Sequence, residues 1–148
     1  MSLPTPRRRV RAGHTLPEVA VALTLVAILL LAATVPARRL LDQAAVHAAA
    51  SELATLLAVA RELAVAGARP VAVRFDPEHG AATVLAGRDT LRRLALAADY
   101  GVTLATTRDS TAFAASGLGA GAANLSAVLT RGAAAETLFV SRLGRVRW

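Results

Sequence analysis

The hydrophobic pattern changes character along the 148 residues of the chain. The nineteen residues from Val19 to Ala37 carry no charge, and at ~1.5 Å per residue they would cover roughly 28 Å of a bilayer. Apolar residues then recur at spacings of three and four, which predicts one apolar helix face. That face comprises Leu41, Ala45, Ala49, Leu53, Leu56, Leu57, Ala60 and Leu63. We expect one helix from about residue 14 to residue 66, ended by Gly67 and Pro70.

Beyond Pro70 the period becomes two, as it does in half-buried strands. We predict strands at 71–75, 82–86, 91–96, 101–106, 111–115, 124–130, 136–141 and 144–148. A turn is expected at 76–80, and the glycines of 117–121 indicate a flexible loop. A long helix followed by short antiparallel strands predicts an α+β fold, in which the helix packs on an antiparallel β-sheet domain.

Composition removes several classes of protein. With 55% hydrophobic and 18% charged residues, the chain is neither a disordered protein nor an ordinary soluble domain. The absence of cysteine excludes disulfides, thiolate zinc sites and a cysteine nucleophile. Aromatic residues make up 3%, too few for a stacking platform along single-stranded nucleic acid.

The net charge of +7 comes from arginine alone and lies at the two ends of the chain. The first thirteen residues hold Arg7, Arg8, Arg9 and Arg11 without an acid, and residues 131–148 hold four arginines against Glu136. Residues 40–130 are almost neutral. Because the arginines before the apolar segment outnumber those after it, the N-terminus should stay in the cytoplasm and the bulk of the chain should lie across the membrane.

Three interpretations of the apolar segment compete. It could be a cleaved secretory signal with Val35-Pro36-Ala37 as its cleavage site, although its apolar run is long for that role. It could also be an ordinary signal anchor. Neither has a use for Glu18, because a carboxylate at the edge of a spanning helix is costly unless it is paired. If the bond after Gly13 is cut, the new α-amino group of His14 becomes a cation four residues from Glu18.

The stretch Gly13-His14-Thr15-Leu16-Pro17-Glu18 resembles the type IV pilin and pseudopilin superfamily. That family has a short basic leader ending in Gly, then a residue that is most often Phe, then Thr, Leu, a variable position, Glu and an apolar helix. The resemblance implies cleavage between Gly13 and His14 by prepilin peptidase, which would recognise Thr15 and Leu16. It also implies N-methylation of His14, and assembly through Glu18 of one subunit paired with the α-amino group of another.

The C-terminal half is similar to the GspH/FimT group, the minor pseudopilins of type II secretion and minor pilins of type IV pili. The pattern is Phe113 and Gly117, then Leu125-Ser126-Ala127-Val128-Leu129, Leu138-Phe139-Val140-Ser141 and Gly144-Arg145-Val146-Arg147. The group implies a single-pass inner-membrane protein with a periplasmic C-terminal domain that later joins a filament. Its partners would be other pilins or pseudopilins, prepilin peptidase, the inner-membrane assembly platform and membrane lipid.

The domain organisation implied by this resemblance has four parts. Residues 1–13 form a basic leader peptide, 14–37 the transmembrane half of the helix, 38–67 its amphipathic half, and 70–148 a periplasmic β domain. The pattern carries no catalytic signature, so we expect no enzyme activity, no cofactor and no metal site. Asp76, Glu78 and His79 could bind a cation, but Asp-Pro-x-x-Gly is primarily turn chemistry.

The basic tail has two interpretations. Arg145 and Arg147 alternate on the last predicted strand, so they should point to one face and could pair with phosphates, with Arg142 and Arg131 as further contacts. Some FimT-like pilins are implicated in DNA uptake through a C-terminal Gly-Arg-x-Arg element, whose form residues 144–147 share. Alternatively, these charges keep a solvated edge strand from aggregating. The structural interpretation is favoured, and DNA binding is the alternative.

Overall fold

The computed structural model describes residues 15–120 and 124–147, without the side chains of 32–35. The chain divides into two compact units, Met1–Ala37 and Arg38–Trp148. Helix α1, Leu16–Ala66, contributes to both of them and continues through Pro36. The prediction of a single long helix is therefore confirmed to within two residues at its start.

In the first unit the described residues form a helix with an apolar surface. Its large apolar side chains are between 44% exposed, at Val19, and 87% exposed, at Leu16. By length and composition α1 is able to cross a membrane. Thr24, a polar residue within this stretch, donates its hydroxyl to the carbonyl oxygen of Ala20 at 2.8 Å. A helix satisfies its backbone groups internally, so this surface suits a hydrocarbon environment.

The second unit continues from α1 into short strands and one short helix. The strands are β1 Val71–Asp76, β2 Ala81–Ala86, β3 Asp89–Leu94, β4 Thr103–Thr106, β5 Ser110–Phe113, β6 Gly119–Ala120, β7 Leu125–Arg131, β8 Ala134–Val140 and β9 Val146–Arg147. Helix α2, Leu96–Tyr100, lies between β3 and β4 in the chain. The predicted α+β class is confirmed.

The described strands form two antiparallel sheets. The first has the order β3-β2-β1-β5-β6, and the second has the order β4-β7-β8-β9. In the first sheet, β1 pairs with β2 so that Val73 lies opposite Val84, and β1 pairs with β5 so that Val71 lies opposite Phe113. In the second sheet, β7 and β8 pair along their length, from Leu125 with Val140 to Arg131 with Ala134.

The core lies where both sheets meet the second half of α1. One stripe of α1 is buried, and more than half of its members are alanine. The stripe consists of Val46, Ala49, Ala50, Leu53, Ala54, Leu56, Leu57, Ala60 and Ala64. Phe113 and Leu96 are also fully buried in this cluster. The predicted face is confirmed at Ala49, Leu53, Leu56, Leu57 and Ala60.

Polar contacts tie α1 to the second sheet and to α2 at the rim of this core. His47 Nδ1 lies 3.0 Å from Glu136 Oε1 on β8. Tyr100 at the end of α2 donates its hydroxyl to the Glu52 carboxylate. Asp42 lies 3.1 Å from the Arg131 Nε at the end of β7. These pairs are partly exposed, so each contributes little to the free energy of folding.

Several predictions were wrong in detail. Leu41 and Leu63 are exposed at 65% and 37%, because the buried stripe of α1 begins at Val46 and passes through Ala64 instead. The strand expected at 91–96 ends at Leu94, because α2 begins two residues later, at Leu96. Gly119 and Ala120 form β6 rather than loop. Residues 121–123 of that predicted loop lie outside the described part of the chain.

Candidate functional site

The first candidate site is the beginning of α1. Thr15 precedes the helix, and its carbonyl oxygen accepts a hydrogen bond from Val19 N at 3.1 Å. The backbone N–H of Thr15 points at Glu18 Oε2, 3.4 Å away. This is the return half of a capping box, in which a glutamate at the third helical position reaches back to the N-cap residue. Glu18 therefore has a local hydrogen-bonding role as well as its negative charge.

The other predicted residues of this site lie on both sides of the boundary of the described chain. Gly13 and His14 lie outside the described residues, so cleavage between them and N-methylation of His14 stay predictions. Leu16, predicted for leader recognition with Thr15, is 87% exposed, and Glu18 is exposed as well. These side chains are therefore accessible to a peptidase or to a neighbouring helix, and their recognition by either stays a prediction.

The second candidate site is the C-terminal tail, which is shaped by a tight turn between β8 and β9. Gly144 N donates to Ser141 O, and Ser141 N donates to Arg145 O, both at 2.9 Å. Arg145 N also donates to Ser141 Oγ at 3.2 Å. Gly144 has a φ of 69°, and a Cβ there would lie 2.9 Å from the carbonyl oxygen of Gly117. Glycine is required at this position for both reasons.

The tail arginines are exposed beside an open groove of about 930 Å³, which we call the β9 groove. One wall is Gly144 to Arg147, and the other is a stripe of α1 made of Ser51, Ala54, Thr55, Ala58, Arg61, Glu62, Val65 and Ala66. Arg145 and Arg147 also line a second hollow of about 430 Å³ with Phe139 and Leu143. Phe139 lies opposite Arg147 in the β8–β9 pairing and is 55% exposed.

The remaining predicted tail residues are not placed equally. Arg142 lies in the turn, where its carbonyl oxygen accepts a hydrogen bond from Gly119 N at 3.1 Å, and its side chain is exposed. Arg131 is engaged elsewhere: its Nη1 donates to the Tyr100 carbonyl oxygen at 2.6 Å, and its Nε lies 3.1 Å from Asp42 Oδ1. Arg131 is thus a structural residue at the end of β7 and a poor candidate for phosphate contact.

The sequence Asp76-Pro77-Glu78-His79-Gly80 forms the predicted turn. Asp76 Oδ1 accepts the backbone N–H of His79 at 3.1 Å, and Asp76 Oδ2 lies 2.9 Å from His79 Nδ1. The hydrogen bond from the His79 backbone holds the pKa of Asp76 below its usual value. Within residues 15–120 and 124–147, no group of three histidine or acidic side chains is placed to hold a metal ion.

Two family patterns match the sequence. Residues 49–144 match the family described as Type II transport protein GspH. Residues 8–34 match the prokaryotic N-terminal methylation motif. The chain belongs to the GspH family. The match covers the last part of α1 and strands β1 to β8, and the motif covers the beginning of α1, so the resemblance to pilins and pseudopilins is confirmed in both parts of the chain. No curated protein sequence matches the chain significantly.

Solved structures similar to this fold include a minor pilin and a minor pseudopilin. The type IV minor pilin FimU of Pseudomonas aeruginosa is 20% identical with a TM-score of 0.59, covering 69% of this chain and 86% of FimU. The minor pseudopilin EpsH of the type 2 secretion system of Vibrio cholerae is 14% identical with a TM-score of 0.56, and the match covers 69% of this chain and 94% of the EpsH chain. The family and these neighbours are structural pilin subunits, not enzymes. The chain is accordingly a pilus or pseudopilus subunit with an apolar helix suited to membrane anchoring.

Sequence reasoning missed the β9 groove and its α1 wall. Arg61 is far from Arg145 and Arg147 in the chain, and only the fold brings these arginines to one groove. A weak sign was present, because Ala54, Ala58 and Arg61 share a helical stripe that the predicted buried face leaves out.

Proposed function

We propose that the chain is a minor pseudopilin of a type II secretion pseudopilus or a minor pilin of a type IV pilus. Residues 1–13 would be removed by prepilin peptidase, 14–37 would span the inner membrane with the N-terminus in the cytoplasm, and 38–67 with 70–148 would lie in the periplasm. The exposed apolar half of α1, which begins with Glu18 in its first turn, carries this proposal.

Assembly follows from the chemistry of that first turn. In a filament core the apolar helix halves exclude water, so an unpaired carboxylate would cost several kcal/mol. Once cleavage exposes the α-amino group of His14, Glu18 of a neighbouring subunit has a cation to pair with. Pairing favours one longitudinal register of adjacent helices, because any other register buries two unpaired charges.

The Glu18 side chain allows a test that separates its charge from its capping role. Glu18→Gln keeps an acceptor for the Thr15 N–H but removes the charge, whereas Glu18→Ala removes both. We expect both variants to be inserted and processed normally and to be depleted from sheared filaments of cells that carry the cognate system. Glu78→Ala, at an exposed turn, is the matched control and should be incorporated like the parent.

If Glu18→Gln is incorporated normally while Glu18→Ala is not, capping of α1 rather than charge pairing is the function of Glu18. If both are incorporated normally, the assembly role is wrong.

Processing is tested by the intact mass of protein extracted from membranes. The proposal requires a mature chain that begins at His14, with a methyl group on its α-amino nitrogen. A chain beginning near Arg38 would instead identify an ordinary signal peptide, and an uncut chain would identify a signal anchor.

DNA binding is the second candidate function, and the exposed tail favours it. Arg145 and Arg147 are exposed, and among the described residues neither makes an ion pair. Phe139 beside Arg147 offers an aromatic surface. Arginines that contact phosphates give sequence-independent binding that weakens steeply with salt.

Titration of the detergent-solubilised full chain with duplex DNA at low and physiological salt tests this candidate. Arg145→Ala with Arg147→Ala should lower the salt slope by about 0.9 for each phosphate that the variant no longer neutralises. The control pair, Arg88→Ala with Arg108→Ala, removes the same charge from exposed positions outside the tail. If the tail pair binds DNA as well as the parent, the tail does not contact DNA.

A further inference from the structure

The wall of the β9 groove formed by the tail is a strand edge rather than a strand face. Successive side chains of a strand point to opposite faces, yet both residues of β9, Val146 and Arg147, line the groove, together with Gly144 and Arg145 of the turn that precedes them. This occurs when the groove runs along the edge of the strand. Among the described strands β9 is the last of its sheet, with β8 as its neighbour on one side. The groove therefore follows the edge that β8 does not cover.

The register identifies which backbone groups point into the groove. Ser141 N donates to Arg145 O, so the backbone carbonyl of Arg145 is turned toward β8. Val146 is the next residue and lies opposite Val140. Since the backbone groups of an antiparallel strand alternate between its two sides, the N–H and C=O of Val146 are turned away from β8. They are placed to pair with another extended backbone.

The opposite wall leaves room for such a backbone. It follows α1 from Ser51 to Ala66, a length of ~22 Å that matches about six residues of extended chain. Alanine occupies Ala54, Ala58 and Ala66 along it, so an extended chain would meet few bulky groups. Val65 and Val146 add apolar surface for side chains that point inward.

The charges around the groove select the kind of chain. Arg61, Arg145 and Arg147 lie on its walls, and Glu62 is the acid among the lining residues. All four side chains are exposed, so they attract a charged ligand through solvent, and this attraction weakens as the salt concentration rises. The groove is complementary to carboxylates on a neighbouring strand.

We propose that the β9 groove binds an extended acidic segment of another polypeptide, which adds to β9 as a further strand. Backbone pairing with Val146 would supply the geometry, small apolar side chains would face Ala58 and Val65, and carboxylates would reach Arg61, Arg145 and Arg147. This mode of recognition uses an exposed sheet edge for affinity and alternate side chains for specificity. It does not depend on which filament the subunit serves.

The test uses the full chain in detergent micelles and a fluorescent synthetic peptide in which valine and aspartate alternate over about six residues. We expect saturable binding that weakens with salt, and slower amide hydrogen exchange across residues 144–147. A peptide of alternating valine and lysine, and the acidic peptide with methylated backbone nitrogens, should each bind at least tenfold more weakly. Glu62→Gln should strengthen binding of the acidic peptide.

Two exposed alanines of α1 provide matched variants. Ala58→Trp places a bulky side chain in the groove and should abolish binding, whereas Ala48→Trp makes the same change outside the groove and should leave binding intact. Unchanged circular dichroism of both variants establishes that they fold.

The proposal is overturned if the acidic peptide fails to bind at millimolar concentration, or if Ala58→Trp binds it like the parent. Equal binding of the methylated peptide would exclude strand addition. Duplex DNA that binds instead, and no longer binds to Ala58→Trp, would assign the groove to nucleic acid.

Discussion

The two halves of α1 have similar apolar residues but opposite surroundings. In the first half, Leu23, Leu25 and Leu29 are 57% to 69% exposed. In the second half, Leu53 and Leu57 are fully buried beneath the sheets. The first half is apolar on every side, whereas the second is apolar along one stripe, with Asp42, Glu52 and Glu62 largely outside it. The distribution of leucine around the helix, rather than its abundance, thus distinguishes a surface for lipid or helices from one for a folded domain.

Shortening one leucine in each half should show this difference most strongly. Leu57→Ala leaves a cavity in the core and should lower the free energy of unfolding of the domain by about 2 to 5 kcal/mol. Leu25→Ala, in the exposed half, should leave that free energy unchanged. Urea unfolding of the full chain in micelles, followed by β-sheet circular dichroism, measures both. Equal losses would show that the halves are not independent.

An added charge should affect the first half of α1 and leave the second half unaffected. Leu25→Arg places a cation in the apolar segment, at a cost of about 2.5 to 3.5 kcal/mol for insertion at the centre of a spanning helix. Thr55→Arg makes an equally cationic change at an exposed position of the second half. Resistance to alkaline extraction from membranes should fall for Leu25→Arg alone. Extraction of both variants to the same degree would contradict membrane insertion of the first half.

A smaller loss of stability is expected from a change in the turn that leads into β9. This turn belongs to the folded domain that contains the second half of α1. Gly144→Ala introduces a Cβ at positive φ and against the Gly117 carbonyl, and should destabilise the domain by roughly 2 to 3 kcal/mol. Gly87 has a similar φ of 66°, but a Cβ there meets nothing within 4 Å. Gly87→Ala should therefore cost about 1 kcal/mol in the same urea measurement. A larger loss for Gly87→Ala would refute the steric argument.

The smallest expected effect is a pH dependence at the tie between α2 and α1. The hydrogen bond from Tyr100 to the Glu52 carboxylate raises the pKa of the phenol above its usual value of 10.0. A raised pKa means that its contribution to stability is complete below pH 10 and disappears as the pH rises through the folded-state pKa. Tyr100→Phe should remove this part of the alkaline loss while lowering stability at neutral pH. Identical alkaline profiles would show that the tie does not contribute.

Elements with a clear period could be predicted from the sequence. The exposed apolar half of α1, its buried stripe and the longer strands all follow from spacings of 3.6 or two. Helix α2 could not be predicted, because Leu96–Tyr100 spans little more than one turn and Ala95 makes no capping hydrogen bond through its side chain. β6 was missed because Gly119 and Ala120 carry no strand signature, and their pairing with Phe113 and Ala112 is a tertiary effect.

The candidate sites divide in the same way. Glu18 and the tail arginines were identified from local motifs, because a carboxylate in an apolar segment and clustered arginines are visible in the sequence alone. The capping contact between Glu18 and Thr15 required the geometry of the first turn. The engagement of Arg131 by Asp42 and Tyr100, and the meeting of Arg61 with β9, depend on residues distant in the chain.

The alanines of the buried stripe have a consequence for conformational entropy. Ala49, Ala50, Ala60 and Ala64 are fully buried, and alanine has no side-chain rotamers to lose when it is ordered. A buried leucine gains more from leaving water but gives up about 0.5 to 1 kcal/mol of rotamer freedom at room temperature. Because that loss is multiplied by absolute temperature, warming penalises ordered leucines and leaves the alanine contacts without this cost. Part of the contact between α1 and the sheets is therefore made by side chains that gain almost no conformational entropy on unfolding.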